Sequence, residues 1–304
     1  MFKPTGSWVA IPTPYNENGK VDFAGFSTLV DFHVANGTSE LFVMGSAGEV
    51  TLLSLEERQE IIRQVIKMSK GKIPVFFNSS LPSTADTVKF AQYAEAEGAD
   101  GLIFTVPPYL LPPQHAVLEH MRACMKSVSI PVGVYNNPAR LGVNLEPDTL
   151  STLAEENPNF IVDKEAMPHV EQLVEVKRKA GDQLNILCCD YPKYSIVLPT
   201  LALGGNGTAN IGGNVIPEEM AVISRPWDSV EKMEECRQLY FKFFPLLKAL
   251  YWFSNPIVIK AALRILGLPS GKLRLPYPEL EGDKLVQLRE LMTELGVIEK
   301  YGQK

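Results

Sequence analysis

Short apolar runs recur along this chain every two to three dozen residues, and each is followed by a stretch with helical periodicity. The runs lie near Trp8–Ile11, Glu40–Met44, Ile73–Asn78, Gly101–Thr105, Ile130–Tyr135, Phe160–Lys164, Asn185–Cys189 and Asn206–Asn210. That alternation is the pattern of a parallel sheet, in which each strand needs a helical crossover before the next can run the same way. Eight units of this kind predict an α/β fold, a closed (β/α)8 TIM barrel, whose usual size is roughly 250 residues. The chain has 304 residues. After Trp227-Asp228 the pattern changes to three helical segments, about Asp228–Phe253, Pro256–Leu266 and Asp283–Glu299. The predicted organisation is a barrel over residues 1–225 with C-terminal helices, residues 226–304, packed on it.

Local signals agree with this register. Ser54-Leu55-Glu56-Glu57 reads as a capping box opening the helix after the second strand. Pro147 and Pro168 fall at expected first helical positions, where a missing amide hydrogen costs little. A doubly wound open sheet is the competing architecture, but it carries a Gly-rich nucleotide turn after its first strand. Here that turn reads Pro12-Thr13-Pro14-Tyr15.

Composition excludes several functional classes. A net charge of −6 with no basic face or run argues against a nucleic-acid partner. No apolar stretch approaches the ~20 residues of a membrane span, and Met1 to Trp8 lacks the apolar core of a secretory signal. The four cysteines and four histidines show no metal-ligand spacing. Cys188 and Cys189 are adjacent within one strand and so poorly placed to bridge each other. A reducing cytoplasm and a site without a protein-bound metal are the expectations.

The chemistry is signalled at strand ends. Lys164 closes the apolar run Phe160-Ile161-Val162, and an ammonium at the inner end of a packed strand loses solvation, which lowers its pKa. A neutral amine can attack a carbonyl carbon; a protonated one cannot. One unit earlier the strand Ile130–Val134 ends on Tyr135, a proton carrier. In a parallel barrel, residues at the carboxyl ends of strands converge on one mouth. After strand two, Gly45-Ser46-Ala47-Gly48-Glu49 lies between an apolar strand and a capped helix. Successive amides in such a turn can hold an anion such as a carboxylate.

Taken together these segments, with Tyr135-Asn-Asn-Pro-Ala-Arg140, Lys164-Glu-Ala166 and Gly204-Gly-Asn-Gly207, resemble one family. The chain is similar to the dihydrodipicolinate synthase/N-acetylneuraminate lyase family of Schiff-base aldolases, from about Gly6 through the C-terminal helices. The resemblance implies that Lys164 forms an imine with pyruvate or another 2-oxo acid, with no metal or organic cofactor. It implies that Tyr135 shuttles protons, that Ser46 links to the tyrosine, and that the backbone of Gly45, Ser46, Ala47 and Gly48 cradles the carboxylate. Arg140 then anchors the carboxylate end of a second substrate, an aldehyde. Tyr109 and Asn210 stand at the mouths of strands four and eight as further substrate contacts. A homo-oligomer, dimer or tetramer, is also implied.

The pattern departs from the family in ways that bear on substrate. Ala47 replaces a second hydroxyl residue, and Leu110 stands where relatives place a second tyrosine. Val106-Pro107-Pro108-Tyr109 has the proline-rich form of the sugar-acid dehydratase branch, which lacks the Pro138-Ala139-Arg140 ending seen here. Cys188-Cys189-Asp190-Tyr191 and Ala209-Asn210 are unusual for strands seven and eight. The expected activity is that of a 4-hydroxy-tetrahydrodipicolinate synthase-like lyase. The alternatives are an aldolase or dehydratase of 2-keto-3-deoxy sugar acids (sialic acid lyase included) and a non-catalytic barrel that binds a 2-oxo acid.

Overall fold

The computed structural model describes residues 3–191, 193 and 195–303. Met1, Phe2 and Lys304, the ends of the two expected regions, lie outside them. Eight strands form a closed, all-parallel barrel in sequence order: β1 (Gly6–Ala10), β2 (Glu40–Val43), β3 (Val75–Asn78), β4 (Gly101–Phe104), β5 (Val132–Asn136), β6 (Phe160–Glu165), β7 (Asn185–Cys188) and β8 (Gly207–Asn210). Nearly every strand residue is buried, because the inner face packs on itself and the outer face on helices. Closure occurs where β8 pairs with β1, Gly6 opposite Gly207. A Cβ on Gly207 would lie 2.1 Å from the Gly6 carbonyl oxygen, and φ is +151° there, so only glycine fits the seam.

Two strands begin two residues later than their apolar runs. Ile73 and Ile130 precede Pro74 and Pro131, and the ladders start at Val75 and Val132, because proline has no amide hydrogen to give. The capping box at Ser54 is present, with Ser54 Oγ accepting from the Glu57 amide and Glu57 accepting from the Ser54 amide. Pro147 opens its helix as expected. Pro168 does not: that helix runs Val170–Ala180 with His169 at its N-cap. The last expected helix divides into Gly282–Glu294 and Val297–Tyr301, because Gly296 adopts φ +74° and ends the first piece.

Inside the barrel, Trp8 and Phe76 approach to 4.5 Å between ring centroids and, with Phe42, fill the floor beneath the mouth. Gly133 keeps the space that Val162 occupies; a Cβ there would meet Val162 Cγ1 at 2.2 Å. The helices Val230–Ala249 and Ile257–Ile265 follow the barrel. Lys260, on the second of these, reaches back to the turn after β2, where it forms a fully buried ion pair with Glu49 at 2.6 Å. The C-terminal region therefore braces the mouth of the barrel.

Candidate active site

Parallel pairing of β5 with β6 puts Tyr135 directly beside Lys164. Both side chains point inward, since alternate residues of a strand face opposite sides. Lys164 is 6% exposed, and its Nζ lies 4.3 Å from the centroid of the Tyr135 ring and 4.5 Å from that of Phe42. Burial lowers the Lys164 pKa to about 8; the Cys189 and Asp190 side chains pull it up, and the Arg140 cation adds to the fall. An appreciable fraction of the amine is thus neutral at ordinary pH. The Tyr135 phenol oxygen accepts a 2.6 Å hydrogen bond from Asn137 Nδ2, which orients the hydroxyl.

The residues flanking Lys164 have a different task. Asp163 and Glu165 point outward and are fully buried. Glu165 accepts from Met167 N (2.6 Å), Asn136 Nδ2 (3.0 Å) and Gln172 Nε2 (3.2 Å). This network ties the end of β5, the end of β6 and the helix Val170–Ala180 together, and so fixes the residues between which Tyr135 and Lys164 alternate. Burial raises both carboxyl groups, Glu165 to about 7, and the neighbouring Glu165 charge raises Asp163 further.

The turn after β2 is held in tension. Met44 (φ 59°) and Glu49 (φ 55°) are both in the left-handed region, which costs a β-carbon residue about 1 kcal/mol or more. Glu49 is fixed there by Lys260 and by the Arg274 amide at 3.2 Å. Thr13 Oγ1 donates to the Gly48 carbonyl oxygen at 2.7 Å. The turn's internal bonds use the amides of Gly48, Glu49 and Val50. The amides of Ser46 and Ala47 are left without a protein acceptor among the described residues. They can receive a carboxylate.

Two adjoining cavities open at the mouth. One, about 270 Å³, is lined by Lys164, Tyr135, Ser46, Asn137 and Arg140 on one side and by Cys189, Ala209, Ile211 and the aromatic segment Tyr251–Phe253 on the other. The second, about 370 Å³, is lined by Gly45, Glu49, Arg58, Asn78 and Pro108 among others. Ser46, Tyr135 and Arg140 line both, so Arg140, on the short helix Pro138–Leu141, stands at their junction.

Two expected contacts are placed differently. Asn210 is buried outside the cavity, donating to Ser7 Oγ and Thr208 Oγ1 at 2.9 Å and accepting from the Gly213 amide at 2.8 Å. Strand alternation gives the cavity its neighbours Ala209 and Ile211 instead. Tyr109 is 94% exposed on the rim with φ 76°, and among the described residues it lines neither cavity. Conversely, Asp190 and Tyr251 form a pair that the sequence does not announce. The Tyr251 hydroxyl donates to Asp190 Oδ1 at 2.6 Å, while Oδ2 accepts from the amides of Ile211 and Gly212. Tyr251 enters from the C-terminal region, sixty-one residues from its partner. The only visible signal is the run Tyr251-Trp252-Phe253 at the end of a helical pattern. Among the described residues, no group of three His, Cys, Asp or Glu side chains is placed to hold a metal ion.

The dihydrodipicolinate synthetase family model matches residues 3–295. The chain belongs to the dihydrodipicolinate synthetase family. A relative from Methanococcus maripaludis, a 4-hydroxy-tetrahydrodipicolinate synthase, is 33% identical over 293 residues, which covers 96% of this chain and 99% of the relative. The crystal structure of dihydrodipicolinate synthase from Aquifex aeolicus superposes with a TM-score of 0.91 at 32% identity, covering 97% and 99% of the two chains. A chloride-inhibited dihydrodipicolinate synthase from Acinetobacter baumannii, solved in complex with pyruvate, gives a TM-score of 0.89 at 29% identity over 96% and 99%. Family membership accounts for the whole barrel and its C-terminal helices, since the similarity runs through both.

Proposed function

We propose that the protein is a class I Schiff-base lyase of the 4-hydroxy-tetrahydrodipicolinate synthase type, joining a 2-oxo acid to an aldehyde through an imine on Lys164. The observation that carries this reading is the Lys164 amine itself, desolvated at a strand end, facing the Tyr135 ring and opening on a cavity. The pyruvate held by the Acinetobacter relative supports pyruvate as the 2-oxo acid.

On this reading the substrate carboxylate rests on the amides of Ser46 and Ala47, which sets its keto carbon over Lys164. The neutral amine adds to that carbon, and loss of water gives a protonated imine. The imine withdraws electrons from the adjacent carbon, so removal of a proton there yields an enamine. The enamine carbon attacks the aldehyde, whose oxygen takes up a proton, and water then releases the product and regenerates Lys164. Tyr135 moves the protons, with Ser46 on the same cavity wall as its relay. Arg140 binds an acidic end of the partner in bidentate fashion.

The imine supplies the polarisation that a metal would supply elsewhere. Turnover of pyruvate with an aldehyde therefore persists in EDTA; complete loss, restored by added metal, would contradict the imine route. A reducing compartment suits the four free, buried cysteines, and the cytoplasm is the proposed location. No helix among the described residues is long and apolar enough to cross a membrane. The exposed apolar rim Tyr109-Leu110-Leu111 favours a homo-oligomer, dimer or tetramer.

A further inference from the structure

The catalytic cavity carries a second acid–base pair that the steps above leave idle. Lys164, Tyr135 and Ser46 stand on one wall, while Tyr251 faces them from the C-terminal region, beside Cys189, Ala209 and Ile211. The Tyr251 hydroxyl donates to Asp190 Oδ1 at 2.6 Å, the short distance of a strong hydrogen bond to an ionised acceptor. Asp190 is fully buried and held still, because its Oδ2 accepts from the amides of Ile211 at 3.1 Å and Gly212 at 2.9 Å. The Tyr191 ring stacks on that of Tyr251 at 4.3 Å between centroids and fixes the phenol from one face.

The direction of that bond decides what the pair can do. With its proton turned toward Asp190, Tyr251 Oη keeps a lone pair for a donor on the cavity side, where Cys189 Sγ lies 3.8 Å away. The Asp190 charge is among those that pull the Lys164 pKa up, so the pair lies within electrostatic reach of the reacting amine. Burial, with the charges of Asp190 and Cys189, holds the Tyr251 phenol well above its usual range, so it passes a proton on rather than keeping a negative charge. Burial raises the Asp190 pKa as well, against the bonds from Tyr251 and the two amides. A carboxylate balanced in this way can take up a proton and give it back.

We propose that Tyr251, backed by Asp190, is a second proton carrier of this site, serving the oxygen of the aldehyde partner while Tyr135 serves the carbons of pyruvate. This rests on the imine reading given above and divides its proton traffic between the two walls. In cleavage, the hydroxyl of the bound adduct gives its proton to Tyr251 Oη as Tyr251 passes its own to Asp190 Oδ1. The carbon–carbon bond breaks to aldehyde and enamine, and its electron pair moves into the protonated imine. In condensation the same atoms run in reverse. Asp190, protonated from solvent, returns a proton through Tyr251 to the aldehyde oxygen as the new bond forms. The proton that Tyr135 removes from pyruvate leaves to solvent, so atoms and charge balance.

The test separates the two halves of the reaction in the full-length protein. Without an aldehyde, exchange of the pyruvate methyl protons in D2O, followed by NMR, reports enamine formation. With L-aspartate semialdehyde, steady-state turnover reports the whole reaction. Tyr251→Phe keeps the stacked ring and removes only the hydroxyl. It should leave exchange and borohydride trapping within about threefold of wild type, while kcat for condensation falls roughly 10²-fold or more, as expected for losing a positioned proton carrier. Asp190→Asn keeps the shape but cannot take a proton, and should show the same split when assayed at pH ~9, where the Lys164 amine is mostly neutral. Tyr135→Phe should instead slow the exchange itself. Condensation by Tyr251→Phe within about threefold of wild type overturns the proposal. Equal losses in exchange and condensation overturn it too, since they would mark Tyr251 as a packing residue. A wild type that fails to trap pyruvate, or to condense it with the semialdehyde, defeats the functional reading and this proposal with it.

Discussion

Burial lowers the Lys164 pKa from 10.5 to about 8, and this has a measurable consequence. At pH ~7.5 a lysine with that pKa is roughly one-quarter neutral, against about one part in a thousand for an unperturbed side chain, a gain of some two-hundredfold in nucleophile. The sign is fixed by which form reacts: attack needs the free amine, so the rate of imine formation should climb with pH and level off above about 8. The neighbours should shift that midpoint in opposite directions. Arg140→Gln removes a positive charge that helps depress the pKa, so the midpoint rises. Asp190→Asn removes a negative charge that opposes the depression, so it falls. The assay is the initial rate of pyruvate attachment, quenched with borohydride at intervals between about pH 6 and pH 10 and read by intact mass. A midpoint near the unperturbed lysine value, or shifts of the same sign in the two variants, would refute the assignment of burial and these two charges as its causes.

Two further outcomes follow from the geometry. Tyr135→Phe should slow turnover by roughly 10²–10⁴-fold, the usual loss for a positioned proton carrier, while slower imine formation persists; unchanged turnover would reduce Tyr135 to packing. Lys260→Met leaves Glu49 buried without its cation, so it should cost about 3–5 kcal/mol of stability in urea denaturation, and it should raise KM for pyruvate by loosening the turn that carries Ser46 and Ala47. A double variant, Lys260→Met with Glu49→Gln, should recover part of the stability; no recovery would mean that the ion pair is not what holds the turn.

The barrel was legible because parallel strands buried on both faces leave largely apolar runs, and helical crossovers separate them at regular intervals. Lys164 and Tyr135 were legible for a related reason: each breaks such a run at its carboxyl end, where the fold gathers side chains. Asn210 misled because one position along a strand reverses the direction of the side chain, and sequence cannot fix that parity to a single residue. Tyr109 stands exposed on the rim of the single chain, in a loop that carries no periodicity. The Asp190–Tyr251 pair and the Glu49–Lys260 pair were invisible for a third reason. Each joins the barrel mouth to a helix that arrives far later in the chain, and no local pattern records the meeting. The aromatic side of the cavity, Tyr251–Phe253, belongs to this last class.

The account stands or falls on the covalent bond to Lys164. The protein incubated with pyruvate and sodium borohydride, digested and sequenced by mass spectrometry, should carry one reduced three-carbon adduct per chain, on Lys164. Lys164→Arg should fold and carry none, because arginine stays protonated at any working pH. An adduct on Lys260 or another lysine, or no adduct with pyruvate or any other 2-oxo acid, would contradict the account at its centre.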